Sequence, residues 1–203
     1  VDGGSADRTP DIVREKMAAI SNLQLLEMKN SGGKGGAVKA GILKAQGEFR
    51  LFTDADNSTP INQVEKMWPE FARGYGVVIG SRDIKGAVLD PPQPWLRNVL
   101  LGDGFKLYRK IIAGLWGLED TQCGFKCFKS EAAERVFPKA KIRGFAFDPE
   151  ILILAKRMGY KIKEVPIYWK NDPNSKVSAT NMLKMAVDLL KIRWNLITGK
   201  YGV

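Results

Sequence analysis

With 203 residues, 44% of them hydrophobic and 27% charged, the chain has the composition of a single globular domain with a substantial core. It contains no histidine and two cysteines, Cys123 and Cys127, which excludes a Ser-His-Asp triad, a Cys/His zinc site and a disulfide framework, and favours a reducing compartment. The formal charge of +10 calls for an anionic partner such as nucleic acid, a phosphorylated small molecule or an acidic lipid surface, while no run of eighteen apolar residues reads as membrane-spanning.

The chain opens on Val1-Asp2-Gly3-Gly4-Ser5, which reads as the end of a buried strand running into a turn, so the first strand is expected to be truncated. Thr9-Pro10-Asp11 reads as an N-cap, a proline in the first turn and a first-turn acid, opening a helix to about Ile20. Leu23 to Met28 reads as a short strand. The cluster Gly32-Gly33-Lys34-Gly35-Gly36 leads into a helix ended by Gly47, and Phe49 to Thr53 is an apolar strand finishing at Asp54.

Thr59-Pro60 repeats the cap signal for a helix to about Arg73, and Val77-Val78-Ile79 is a further buried strand. Residues 83 to 95, with Pro91, Pro92 and Pro94, read as a mobile loop, followed by a helix from Leu96 to Trp116. Asp148-Pro149-Glu150 opens a helix to Met158, and Lys161 to Trp169 reads as a strand. This alternation predicts an α/β fold, a mostly parallel sheet with helices on both faces. In such sheets ligands bind beyond the carboxyl ends of the strands, where Asp2, Asp54 and Ser81-Arg82 fall. From Ser178 to Ile197, Lys184, Asp188, Lys191 and Asn195 form one polar stripe on an otherwise apolar helix. The expected division is therefore 1–177 for the domain and 178–203 for an amphipathic helix. That helix either packs on the domain or lies in a membrane interface.

Asp54-Ala55-Asp56 places two carboxylates at the end of a buried strand, where a hard divalent cation bridging a diphosphate would bind; an isolated Asp-x-Asp is more often a solvated turn. The glycine cluster departs from a P-loop, since Met28 stands at the position of its first glycine and Gly35 at that of its Ser or Thr. It reads as a helix-capping turn with Lys34 as a candidate diphosphate contact. Cys123 and Cys127 read as small packing residues, and Tyr168 and Trp169 as core or interface packing.

Several segments then occur in order: Val-Asp-x-Gly-Ser-x-Asp-x-Thr (1–9), Gly-Lys-Gly-x-Ala-Val (33–38), Asp-Ala-Asp (54–56), Gly-Ser-Arg (80–82) and Asp-Thr-Gln-Cys-Gly-Phe-Lys (120–126). Phe-Asp-x-Glu (147–150), Glu-Val-Pro (164–166) and Ser-Lys-Val (175–177) complete the set. Nearly end to end, the chain resembles the family 2 glycosyltransferases that make polyprenyl-phosphate sugars. The resemblance implies a Rossmann-like, nucleotide-sugar-binding GT-A fold and an inverting hexosyl transfer from UDP-glucose, or alternatively GDP-mannose, to dolichyl or polyprenyl phosphate. It implies that Asp2 contacts the nucleotide base, that Asp54 and Asp56 hold Mg2+ or Mn2+, and that Arg82 and Arg97 receive the lipid phosphate, as guanidinium forks suit. A surface salt bridge is the plainer role for either arginine. Asp148 is a candidate near the acceptor, with a helix N-cap as its plainer role. Gln122 and Lys126 are motif neighbours without a defined role.

Gly3 departs from the family pattern, which has a second aspartate there, and a nucleotide-contacting Pro-x-Tyr-Asn-Glu segment is absent. Other readings are transfer to a different glycan acceptor or a non-catalytic nucleotide-sugar or membrane-binding module. Leu190 stands where the Gln-x-x-Arg-Trp motif of processive synthases needs glutamine. Dispersed basic residues without a binding motif speak against nucleic acid. The expected location is peripheral, on the cytoplasmic face of a membrane.

Overall fold

The computed structural model describes residues 1–29, 32–92, 108, 110–112, 114–171 and 179–203. Arg97, the segment 175–177 and most of the helix expected from Leu96 lie outside the described residues. The strands are β1 (Phe49–Thr53), β2 (Val77–Ser81), β3 (Val88–Asp90), β4 (Phe125–Lys129), β5 (Ile162–Pro166) and β6 (Tyr168–Lys170). Four of them form one sheet in the order β1-β4-β2-β5, and β3 pairs with β6 in a small parallel sheet.

The α/β reading holds, with one feature added. β1, β2 and β5 share a direction, but β4 is inserted between β1 and β2 and runs antiparallel to both. The chain enters β4 at the carboxyl ends of its neighbours, so the 120–124 segment shares an end of the sheet with Asp54 and Arg82. The segment from 83 contains β3, and Ile167 divides the strand expected from Lys161 to Trp169 into β5 and β6.

Side chains alternate across this sheet with the period of two that a pleated strand imposes. Phe52, Val77, Ile79 and Phe128 point into one core, and Phe49, Leu51, Val78, Phe125 and Cys127 into the other. The first core is covered by α2 (Lys34–Lys44), α4 (Ser130–Val136), α5 (Phe147–Arg157) and α6 (Ala179–Ile197). The second is closed by α3 (Trp68–Ala72) and the 3-10 turn Ile61–Lys66, through Val64, Met67 and Phe71. Helices therefore cover both faces, and Lys126 is directed by the same alternation into the first, apolar core.

Several element ends differ from expectation for local reasons. The Thr59-Pro60 helix divides into the 3-10 turn and α3, which restarts with Pro69 in its first turn, where a missing N–H costs nothing. α1 spans Thr9–Met17, with Arg8 rather than Thr9 at the N-cap. The strand expected at Leu23 to Met28 reduces to one parallel bridge, Asp2 to Glu27, because the chain turns away at Gly4, whose φ is 102°.

α6 packs on the domain along one edge and leaves another edge exposed. Met185, Leu189 and Ile192 are buried, Leu189 and Ile192 in the core they share with α5, while Leu183, Val187, Leu190, Trp194 and Ile197 face outward. Beyond α6 the chain folds back: the Tyr201 hydroxyl donates to Glu150 Oε1 at 2.5 Å, and Glu150 also accepts the Lys141 and Ile142 amides at 2.9 Å each. Among the described residues no helix is long and apolar enough to cross a membrane.

Candidate active site

Asp54 leaves β1 with its ladder still paired, its amide donating to the Gly124 carbonyl at 3.0 Å. Its carboxylate lies over Gly124 so closely that a Cβ there would come within 2.0 Å of Oδ2. The glycine of the 120–126 motif is thus explained by the carboxylate of the Asp-x-Asp motif. Asp56 sits exposed on the following turn, where its Oδ1 accepts the Ser58 amide at 2.9 Å.

Lys34 opens α2 and pairs with Asp54 Oδ1. The surrounding glycines allow this approach: a Cβ on Gly35 would lie 2.5 Å from Phe147 Cβ, and one on Gly33 would lie 2.8 Å from the Arg143 carbonyl oxygen. The amides of Gly35 and Gly36 both donate to that carbonyl, at 2.8 and 3.3 Å. Their hydrogen bonds go to protein, as suits a helix-capping turn, and Lys34 is the group the turn presents.

Asp148 is not an N-cap. The cap position of α5 is Ala146, and Asp148 lies in the first turn with its carboxylate turned inward onto Lys126 Nζ. Both side chains are buried; Lys126 Nζ also donates to the Cys123 carbonyl and lies 5.4 Å above the Phe52 ring. Burial pushes the Asp148 carboxyl up to about 6, against the charges of Lys126 and Lys34, which favour the carboxylate. Asp148, Lys126, Lys34 and Asp54 thus form one electrostatic cluster at the head of α5 and the end of β1.

Arg82, at the end of β2, is committed to Asp120. Nε and Nη2 donate to the two carboxylate oxygens at 2.6 and 2.9 Å, and the guanidinium lies 4.7 Å above the Trp169 ring. Asp120 also accepts the amides of Arg82, Gln122 and Cys123, each at 3.1 Å. Burial alone would raise this carboxyl, but Arg82 and these hydrogen bonds hold it well below the usual carboxylate range. Glu164 of β5 fixes the same loop by accepting the Glu119 and Asp120 amides at 2.8 Å each. Asp2 caps its own turn, accepting the amides of Gly4 and Ser5 at 3.0 and 3.1 Å and the Ser5 hydroxyl; the hydroxyl bond leads in lowering its pKa. Burial pushes the Cys123 and Cys127 thiols up to about 12, so neither is a nucleophile near neutral pH.

The donors fit a hard divalent cation, with a limit. Asp54 and Asp56 supply carboxylate oxygens, and among the described residues no group of three or more acidic, histidine or cysteine side chains comes together. These two carboxylates would hold such a cation only in part, which suits Mg2+ or Mn2+ bound together with an oxygen-rich ligand.

The structure thus brings Lys34, Asp54 and Asp148 together, holds Arg82 on Asp120, and places Asp56 on the adjoining turn. Sequence reasoning missed Asp120 and Glu164 as organisers and Lys126 as the partner of Asp148. Lys126 carried a signal: in Phe125-Lys126-Cys127-Phe128 it alternates onto the same buried face as Phe128.

Residues 1–137 match the family described as "Glycosyl transferase family 2". The dolichyl-phosphate beta-glucosyltransferase of Dictyostelium discoideum is 38% identical over 100% of this chain and 64% of its own length. That of Saccharomyces cerevisiae is 34% identical over 99% and 65%, and one from Trichomonas vaginalis 35% identical over 95% and 60%. The chain spans about three fifths of the length of these relatives. Glucosyl-3-phosphoglycerate synthase from Mycobacterium tuberculosis, in complex with Mn2+, UDP-glucose and glycerol 3-phosphate, superposes with a TM-score of 0.63 at 17% identity, covering 95% of this chain and 67% of that one.

The mixed sheet, its two helical layers and the carboxylate turn at the end of β1 define a glycosyltransferase fold of the GT-A class. Within that class, the chain belongs to glycosyl transferase family 2.

Proposed function

We propose that this chain carries the donor site of an inverting, metal-dependent glycosyltransferase that moves glucose from UDP-glucose to dolichyl or polyprenyl phosphate at a membrane surface. The observation that carries this reading is the meeting of the Asp54 carboxylate with Gly124. It joins two family motifs at one end of the sheet, in a chain whose relatives are dolichyl-phosphate beta-glucosyltransferases.

In the reaction an oxygen of the lipid phosphate attacks the anomeric carbon, the bond from that carbon to the β-phosphate oxygen breaks, and the electron pair leaves with UDP. A single displacement inverts the configuration. Mg2+ or Mn2+, held by Asp54 and Asp56, would neutralise charge on the diphosphate. Lys34, already against Asp54, lies where it adds a second positive charge. Asp2 is assigned to the nucleotide base. Arg82 and Arg97 are assigned to the lipid phosphate; Arg82 is pre-oriented by Asp120, which accepts from its Nε and Nη2 and leaves Nη1 for the acceptor. The acceptor oxygen is already ionised near neutral pH, so the task left to Asp148 is to hold Lys126 and the local charge balance rather than to remove a proton.

Incubation with Mg2+ or Mn2+, dolichyl phosphate and radiolabelled UDP-glucose or GDP-mannose, with label counted in the lipid phase, tests this. Label from UDP-glucose alone is the expected result, label from GDP-mannose reassigns the sugar, and label from neither rejects the reading. Asp56→Ala, at an exposed turn, is expected to abolish transfer with little change in thermal midpoint. Full activity in that variant removes Asp56 from the metal site.

A further inference from the structure

Among the described residues, three buried side-chain polar atoms have no hydrogen-bond partner: Thr59 Oγ1, Thr121 Oγ1 and Gln122 Nε2. All three belong to the carboxyl end of the sheet. Thr59 follows the turn that carries Asp54 and Asp56; the Ser58 carbonyl there accepts the Lys170 amide at 2.7 Å, and Trp169, next to Lys170, lies 4.7 Å from the Arg82 guanidinium. Thr121 and Gln122 stand between Asp120, which holds Arg82, and Gly124, which the Asp54 carboxylate covers. A polar atom buried without a partner gives up water and gains nothing, so it destabilises the fold. Away from this end the chain satisfies its buried charges with several bonds each: Glu150 accepts from Tyr201 and two amides, and Arg50 donates to Glu134 and two carbonyls. The unsatisfied groups thus gather where a bound molecule would replace the missing partner.

Gln122 is the most constrained of the three. Its own amide donates to Asp120 Oδ1 at 3.1 Å, and Glu164 accepts the amides of Glu119 and Asp120 at 2.8 Å each, so its side chain springs from a fixed turn. We propose that Gln122 reads a hydroxyl of the donor hexose, its side-chain amide forming a hydrogen bond with that hydroxyl, and that it is therefore a specificity-determining residue; this rests on the UDP-glucose reading above. The chemistry of the partner follows from the division of charge in the site. Lys34, Asp54 and Asp56 already provide for the charged diphosphate, whereas a neutral amide in a buried place suits a neutral group. A sugar hydroxyl both donates and accepts, so it satisfies either end of the amide, while a phosphate oxygen only accepts. A hexose lacking that hydroxyl leaves the amide unpaired again, and this is how a buried polar group discriminates against an analogue of the same shape.

Calorimetry with Mn2+ present measures binding of UDP, UDP-glucose and the monodeoxy forms of UDP-glucose to wild type and to Gln122→Met, which keeps the length of the side chain without its amide. Wild type is expected to bind one monodeoxy form about tenfold more weakly than UDP-glucose. The variant is expected to bind UDP-glucose about tenfold more weakly than wild type, to hold UDP equally well, and to lose the distinction between the two sugars. Without ligand it should melt at or above the wild-type midpoint, since the unpaired atom is gone. Undiminished binding of UDP-glucose by the variant overturns the inference. So does a loss shared by UDP, a discrimination between the sugars that survives the substitution, or a variant that melts well below wild type. A wild-type chain that binds neither UDP nor UDP-glucose overturns the donor reading along with the inference. Loss of discrimination in a chain that binds UDP-glucose but transfers no sugar supports the inference and rejects the enzymatic reading alone.

Discussion

Two buried aspartate–cation pairs, less than thirty residues apart in sequence, behave in opposite ways. Asp120 meets Arg82 and three backbone amides and accepts five hydrogen bonds, which hold it ionised far below the ordinary range. Asp148 meets Lys126, its hydrogen-bond partner among the described residues, and burial lifts it to about 6. A buried countercharge alone therefore does not set a carboxyl's pKa; the balance of burial against nearby charge and the donors that replace lost water does. The first pair anchors a loop, while the second can titrate near working pH.

The largest effect should come from breaking the well-satisfied pair. Asp120→Ala leaves Arg82 and the Gln122 and Cys123 amides unpaired, with an expected loss of about 3–5 kcal/mol in urea unfolding. Next comes pH. Asp148 has a raised folded pKa, so its contribution to stability is fully present below its unfolded value of 3.8 and is lost as pH rises through about 6. Wild type should thus lose up to about 3 kcal/mol relative to Asp148→Asn between these values, read from unfolding at several pH values. Asp120 has the opposite sign, its contribution being present above 3.8 and lost as pH falls toward its depressed folded pKa, so Asp120→Asn should flatten the acid limb.

Lys126→Met should cost less than Asp120→Ala, about 1–3 kcal/mol, because Asp148 can escape by taking up a proton. Its carboxyl resonance in NMR should then titrate above 6. The smallest change in stability, about 1 kcal/mol, is expected for Gly124→Ala, where the new methyl displaces the Asp54 carboxylate. Its readout is Mn2+ affinity by calorimetry with UDP present, which should fall with little change in melting.

Local chemistry was legible in the sequence where neighbours along the chain decide it. The apolar strand ending in Asp54-Ala55-Asp56, the glycine turn before α2 and the strand–helix rhythm all reappear in the structure. Asp120 as the partner of Arg82 was not legible, because the two are separated by 38 positions and meet through the antiparallel insertion of β4. Residue periodicity does not specify strand direction. For α6, periodicity found a broad apolar arc, but only packing on the domain divides it into a buried edge and an exposed one.

The return of the chain at Tyr201 has a practical consequence. Tyr201 holds Glu150, Glu150 holds the amides of 141 and 142, and the neighbouring Arg143 carbonyl holds the turn that carries Lys34. Tyr201 is therefore mechanically in series with the Lys34–Asp54 pair. Tyr201→Phe, which removes the first link without touching the site, should therefore loosen the turn that presents Lys34, and the effect should appear in turnover before it appears in melting.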